Sequence, residues 1–149
     1  MASVLKILHW ICRVILAGIF LTSGYIKLQS PLQFAAAITG YKLVPDALVF
    51  PLANYLPWLE IALGVLLLSG WKIRWVAVGA SLLLLGFISV LTITYLRGIE
   101  ADCGCFGFGD KITPRTIGRD VLILIPAVFL AVEGYLRRLE VRQSAGAGA

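Results

Sequence analysis

Four apolar runs, each about as long as a bilayer is thick, constrain this chain more than any other feature. A hydrocarbon core of about 30 Å takes about 20 residues of helix to cross. Residues 5–28, 48–68, 73–96 and 117–136 each supply such a stretch. Between the first two, Pro31 to Pro45 carries Phe34-Ala-Ala-Ala-Ile38. That segment is too short to span and reads as a short helix lying at the interface. The expected fold is all-α: an integral membrane four-helix bundle with a short interfacial helix between the first two spans. Residues 1–143 form one membrane domain, and the low-complexity tail 144–149 reads as disordered.

Composition agrees. Of 149 residues, 60% are hydrophobic and only 14% charged, against about a quarter charged in soluble domains. The net charge of +5 does not point to nucleic acid, because the basic residues flank apolar runs as the positive-inside rule requires. Membrane lipid is the expected surroundings. There is no Walker loop and no dinucleotide fingerprint. His9 is the only histidine, which excludes a multi-His metal site, and no metal-ligating set is assigned. Lys6 before an apolar run resembles the start of a secretory signal. The run continues past Leu21, contains Arg13 and lacks a small-x-small cleavage site, so it reads as a retained first helix.

Orientation rests on Lys and Arg near the ends of the runs. Lys6, Lys72, Arg74, Arg137, Arg138 and Arg142 fall on one side. Lys27, Lys42, Arg97, Lys111, Arg115 and Arg119 fall on the other, interleaved with Asp46, Glu100, Asp102 and Asp110. Raw counts are nearly even. The purely basic Lys72–Arg74 turn and the dense Arg137–Arg142 cluster favour both termini inside, which places Cys103 and Cys105 outside, in an oxidising compartment.

Arg13, Lys27, Glu60, Arg119, Asp120 and Glu133 lie in or at the ends of apolar runs. A charge at mid-bilayer costs at least about 2.5–3.5 kcal/mol, so these residues must face the bundle and find partners. At about 1.5 Å per residue, Lys27, Glu60, Arg119 and Asp120 share the outer half, beneath the loop that carries the cysteines. Arg13 is deeper and can also reach towards Glu60. The alternatives are an ion pair that only fixes packing, a snorkelling Lys27, or Asp120 as a first-turn residue favoured by the helix dipole.

Asp102-Cys-Gly-Cys-Phe-Gly-Phe-Gly109 is the most informative polar segment. A Cys-x-Cys disulfide closes a small, strained ring, and strain makes it easier to reduce. Gly104 removes a Cβ clash, Gly107 and Gly109 give the loop mobility, and Phe106 and Phe108 offer an apolar surface to a partner. Two rival readings stay open. A cysteine pair can hold Cu(I), though no Met or His lies nearby. A structural staple is also conceivable, although so short a ring removes little unfolded-state entropy. Cys12, more than about 20 Å from the loop, reads as a small buried hydrophobe.

Arg13, the run Gly18-Ile-Phe-Leu-Thr-Ser-Gly24 with Lys27, Pro31 and Phe34, and Pro57-Trp-Leu-Glu60 with Gly64 resemble the DoxX-like superfamily. The Cys103-Gly-Cys-Phe-Gly107 loop followed by Arg119 is similar to its MauE branch, the methylamine utilisation membrane proteins. The resemblance covers residues 10–136. It implies a four-helix protein of the bacterial inner membrane, linked to disulfide formation or thiol handling in exported proteins such as the small subunit of methylamine dehydrogenase. Other members of the superfamily are associated with thiosulfate:quinone oxidoreduction. No thioredoxin domain is attached, so a thiol partner would act in trans.

The resulting expectation is a membrane thiol–disulfide oxidoreductase or its accessory subunit. Cys103 and Cys105 would exchange disulfides with an exported thiol protein or a thioredoxin-like protein. Lys27 and Arg119 would stabilise a thiolate or a reduced quinone, and Glu60 would carry protons. Arg13, Tyr25 and Asp120 are the candidate cofactor-binding residues, with quinone as the candidate acceptor. The quinone rests on architectural analogy with vitamin K epoxide reductase-like four-helix proteins. The rivals are a carrier of metal or small molecules and an assembly subunit without turnover.

Overall fold

The computed structural model describes residues 2–104 and 109–146. Cys105, Phe106, Gly107 and Phe108 therefore lie outside the described residues. Five helices follow one another: α1 (Ala2–Gln29), α2 (Pro31–Gly40), α3 (Asp46–Ser69), α4 (Ile73–Leu96) and α5 (Pro114–Gly146). Helices α1, α3 and α4 cover the first three apolar runs, and α2 lies in the segment that connects the first two.

Among the described residues, α1, α3 and α4 are long and apolar enough to cross a membrane. Helix α5 is long, but Arg119 and Asp120 precede its apolar stretch of residues 121–132 and Glu133 follows it. No charge-poor stretch of spanning length remains. It also continues through Gly146, so residues 144–146 are helical where a disordered tail was expected, and 147–149 lie outside the described residues.

Local chemistry sets the breaks. Pro31 occupies the first turn of α2, where its missing N–H is harmless. Gly70 ends α3 in the left-handed region at φ 72°, and its N–H reaches Leu66 O at 3.0 Å. Lys72, also left-handed, then starts α4. This tight turn makes α3 and α4 sequential neighbours, α1 packs chiefly on α3, and α5 packs chiefly on α4.

Glycines set how closely α1 and α3 approach. A Cβ on Gly24 would meet Pro57 O and Ile61 Cγ1 at 2.8 Å and Glu60 Cβ at 3.3 Å. Small residues give membrane helices this kind of close backbone contact. Gly24→Ala is expected to push α1 off α3 beside Glu60 and to cost about 1–3 kcal/mol. Unfolding in mixed detergent micelles measures this, and an unchanged midpoint would contradict the close approach.

Two apolar clusters fill the interior. One joins Phe34, Ala37, Ile38, Tyr41, Val49, Ala53, Leu91, Cys103 and Ile112, around α2 and the 97–113 loop. The other joins Leu16, Phe20, Leu63, Leu67, Ala77, Ala80, Ala127 and Leu130. Along α1, α3 and α5 the buried Lys27, Glu60 and Asp120 fall between the two, while the buried Arg13 lies beyond the second. Lys27 follows Phe20 and precedes Phe34, Glu60 separates Ala53 from Leu63, and Asp120 separates Ile112 from Ala127. A polar layer therefore crosses an otherwise apolar core.

Candidate functional site

Lys27 and Glu60 form the centre of that layer. Lys27 Nζ lies 2.5 Å from Glu60 Oε1, and the two residues are 1% and 3% exposed. Ser23, one turn earlier on α1, donates to Glu60 Oε2 at 3.2 Å. Lys27 stands near the end of α1, from where a snorkelling side chain would run to water. Instead α2 folds back over it, with the Phe34 ring centroid 5.0 Å from Nζ and the Phe87 centroid of α4 at 4.5 Å. Of the sequence alternatives for Lys27, the inward ion pair is the one observed. Desolvation of two such charges is costly, and the carboxylate, the hydroxyl and two aromatic faces offset it.

Ser23, Lys27 and Glu60 line a cavity together with Asp120 and the apolar Ile19, Phe20, Leu84, Phe87 and Ile123. Its volume is about 30 Å³, enough for a water or two and too small for an organic ring. Asp120 is buried, and Arg119 Nε approaches its Oδ1 at 3.3 Å. Since α5 begins at Pro114, Asp120 sits in the second helical turn. The first-turn dipole explanation therefore does not apply to it.

The loop above is held from both sides. Cys103 N–H donates to Asp110 O at 2.7 Å, Ile112 N–H to Ala101 O at 3.0 Å, and Asp102 pairs with Lys111 in an antiparallel bridge. Tyr41 donates its hydroxyl to Cys103 O at 2.7 Å. Gly104 takes φ 65°, and a Cβ there would stand 3.2 Å from the Tyr41 oxygen and 3.3 Å from Ala37 Cβ, so conformation and space both call for glycine. Cys103 is 1% exposed. Its Sγ lies 3.8 Å from Arg119 Nη2. A guanidinium at that position favours negative charge on sulfur. A continuous series then runs from Cys103 through Arg119 and Asp120 to the Lys27–Glu60 cavity.

On the loop surface, Lys111 Nζ contacts Glu100 Oε2 at 2.7 Å. The pair holds the Glu100 carboxyl below and the Lys111 ammonium above their ordinary ranges. Both are fully solvated, so salt screens the attraction and little stability rides on it.

The structure separates two candidates from this site. Arg13 does not reach Glu60. Its Nε donates to Leu67 O at 2.5 Å and its Nη2 to Leu68 O at 2.6 Å, capping the last carbonyls of α3, and it stacks on Trp10 with 4.4 Å to the ring centroid. At Gly70 the left-handed φ of 72° strains any other residue, and a Cβ there would stand 2.6 Å from Arg13 Nη2 and displace the guanidinium. Tyr25 is 59% exposed and accepts a bond from Gln29 at 2.8 Å. It lies two residues from Lys27, about 200° around the helix, and faces away from the cavity. Cys12 is half-buried at the edge of the second apolar cluster. Sequence reasoning missed Tyr41, and it missed a second polar group in which Glu133 binds His9 Nδ1 at 2.6 Å and Arg137 Nε at 3.0 Å.

The sequence profile of the family described as methylamine utilisation protein MauE matches residues 5–133. Among curated relatives, a methylamine utilization protein MauE of Paracoccus denitrificans is 35% identical over 103 residues, 68% of this chain and 55% of the relative. One of Methylophilus methylotrophus is 37% identical over 81 residues, 53% of this chain and 42% of the relative. One of Paracoccus versutus is 29% identical over 125 residues, 82% and 67% of the two chains. The chain thus spans about half the length of the first two relatives. No solved structure matches it.

Proposed function

The chain belongs to the methylamine utilisation protein MauE family, and from that premise we propose that it is a membrane thiol–disulfide oxidoreductase or the accessory subunit of one. The observation that carries this reading is Cys103, buried against α2 with the Arg119 guanidinium 3.8 Å from its sulfur and a charged cavity on the far side of Arg119. Cys103 and Cys105 exchange with an exported or thioredoxin-like protein in trans. As a disulfide of one partner is reduced, the dithiol of the other is oxidised. Two electrons and two protons move, and no atom is lost. Arg119 stabilises the thiolate of Cys103, and Asp120 positions Arg119. Lys27 and Glu60 hold the proton inventory beneath. A lipid-soluble quinone is the proposed final acceptor. The relatives' name supports an exported protein of a methylamine utilisation system as the partner class.

We also place α5 as a fourth span in the bacterial inner membrane, both termini inside and the 97–113 loop outside. The engagement of Arg119 and Asp120 within the polar layer supports this, since neither then faces lipid bare. A DoxX-like superfamily placement accords with the same residue pattern.

Burial divides the roles of the cysteines. Cys103 is 1% exposed among the described residues, which favours Cys105 as the sulfur that makes the intermolecular bond and Cys103 as the one that resolves it. Cys103→Ser is expected to accumulate a mixed disulfide with an exported protein in intact cells, and Cys105→Ser to accumulate none. Non-reducing electrophoresis after acid trapping reads this, and the opposite pattern would reverse the assignment. An impermeant maleimide should label Cys105 of reduced spheroplasts. Labelling only after permeabilisation would reject the orientation.

A further inference from the structure

Far from the cysteine loop, the start of α1 and the later turns of α5 frame an opening of about 460 Å³. Glu133 of α5 binds His9 of α1 at 2.6 Å, which sets the two helices level with each other. Since α1 is apolar enough to cross a membrane, Lys6 near its start stands at the membrane–water boundary. Lys6, Glu133, Arg137 and Glu140 line the opening together with apolar side chains. Glu133 and Arg137 are paired, with Nε 3.0 Å from Oε1. Lys6 and Glu140 make no ion pair or hydrogen bond among the described residues. Two opposite charges thus line one opening without meeting across it. Depth orders the lining, counted from the His9–Glu133 pair at about 1.5 Å per residue. Phe129 lies about 6 Å towards the bilayer centre, Lys6 and Arg137 about 4–6 Å outwards, and Glu140 about 10 Å outwards.

We propose that this opening is a binding site for phosphatidylethanolamine, a phospholipid that carries both a phosphate and a primary ammonium. From the bilayer outwards such a lipid presents an acyl chain, then the phosphate, then the ammonium. The lining presents Phe129 and Val132, then Lys6 with Arg137 beside it, then Glu140, so the two sequences of chemistry match in order. Lys6 donates to the phosphate, and the ammonium donates to the Glu140 carboxylate. Both are charge-assisted hydrogen bonds, the stronger kind. The lining also discriminates among lipids. Phosphatidylglycerol has a phosphate but no cation for Glu140, and cardiolipin adds a second anion beside it. The trimethylated ammonium of phosphatidylcholine has no N–H to donate. A free phosphate has no chain for the apolar wall. Helix α1 packs on α5 far less than on α3, and the bound lipid bridges them from Lys6 to Glu140. The thiol chemistry has no part in this site, so the two readings stand or fall separately.

Glu140 supplies the test, because it is exposed and its replacement disturbs no packing. The purified full chain is placed in nanodiscs of equal parts phosphatidylethanolamine, phosphatidylglycerol and phosphatidylcholine. Native mass spectrometry then counts the lipids it retains on release. Wild type should keep one phosphatidylethanolamine in preference to either other lipid by at least about fivefold, the factor that one charge at a membrane surface supplies. Glu140→Lys makes the lining cationic and should reverse the preference towards phosphatidylglycerol. Lys6→Gln should weaken retention of all three lipids, since each carries the phosphate. Arg142→Gln, on the same end of α5 but outside the opening, should behave as wild type. Circular dichroism of each variant checks that the helices are intact. Wild type that retains the three lipids in the proportions of the disc, or retains none, overturns the site. So does a wild-type preference in Glu140→Lys, undiminished retention in Lys6→Gln, or loss of the preference in Arg142→Gln.

Discussion

Lys27→Met is expected to destabilise the protein by about 3–5 kcal/mol, because it leaves Glu60 buried without its cation. The pair is 1% and 3% exposed, and Ser23 is the hydrogen bond that remains to the carboxylate. Glu60→Gln should cost less. The ammonium it strands keeps the Phe34 and Phe87 faces and has Asp120 across the same cavity. The double variant Lys27→Met/Glu60→Gln should recover much of the single loss, since removing both charges also removes their desolvation cost. Unfolding free energies in mixed micelles give the cycle. Single costs below about 1 kcal/mol would mean that the pair is hydrated and the polar layer open to water.

Much of this layer was legible in the sequence because depth along a helix can be counted. Lys27, Glu60 and Asp120 were expected in the outer half, and they line one cavity. Depth gives no azimuth, however. Tyr25 sits at the right height and faces away, which the 100° helical step could have shown. Arg13 was drawn towards Glu60 by charge alone, while the unsatisfied carbonyls at the α3 C-terminus compete for it. Gly70, a glycine closing an apolar run, was the available signal for those carbonyls. The fate of Lys27 turned on α2 folding back, which pairs Phe34 with a side chain seven residues earlier and has no local signature. Tyr41 reaches Cys103 across 62 residues, and only tertiary structure reveals such a contact. His9 and Glu133 both lie near the termini's side of their helices, so their pairing could have been read by the same depth count. Charge content explains why α1, α3 and α4 are charge-poor enough to span by composition and α5 is not. Arg119 and Asp120, which precede its apolar stretch, connect it to the cysteine loop and the inner cavity.

The other large effect concerns the cysteines. Cys103→Ser and Cys105→Ser are each expected to abolish oxidation of exported thiols, and Cys12→Ser, at the edge of the far apolar cluster, to leave it intact. Arg119→Gln removes the cation beside Cys103 Sγ. It should destabilise the reduced pair and lower its potential, by about 30 mV for each 1.4 kcal/mol of lost thiolate stabilisation. Complementation assays that monitor the thiol state of periplasmic proteins check the first set, and a variant-by-variant titration checks the second.

Equilibrium redox titration of the Cys103–Cys105 pair in the purified protein, read by the mass shift of thiol alkylation across a series of dithiol buffers, tests the central claim most directly. The ring strain of Cys-Gly-Cys and the guanidinium beside Cys103 predict a midpoint well above about −300 mV, in the range of exchanging disulfides. A pair that stays oxidised down to about −300 mV would be a structural staple, and the thiol-exchange account would be contradicted.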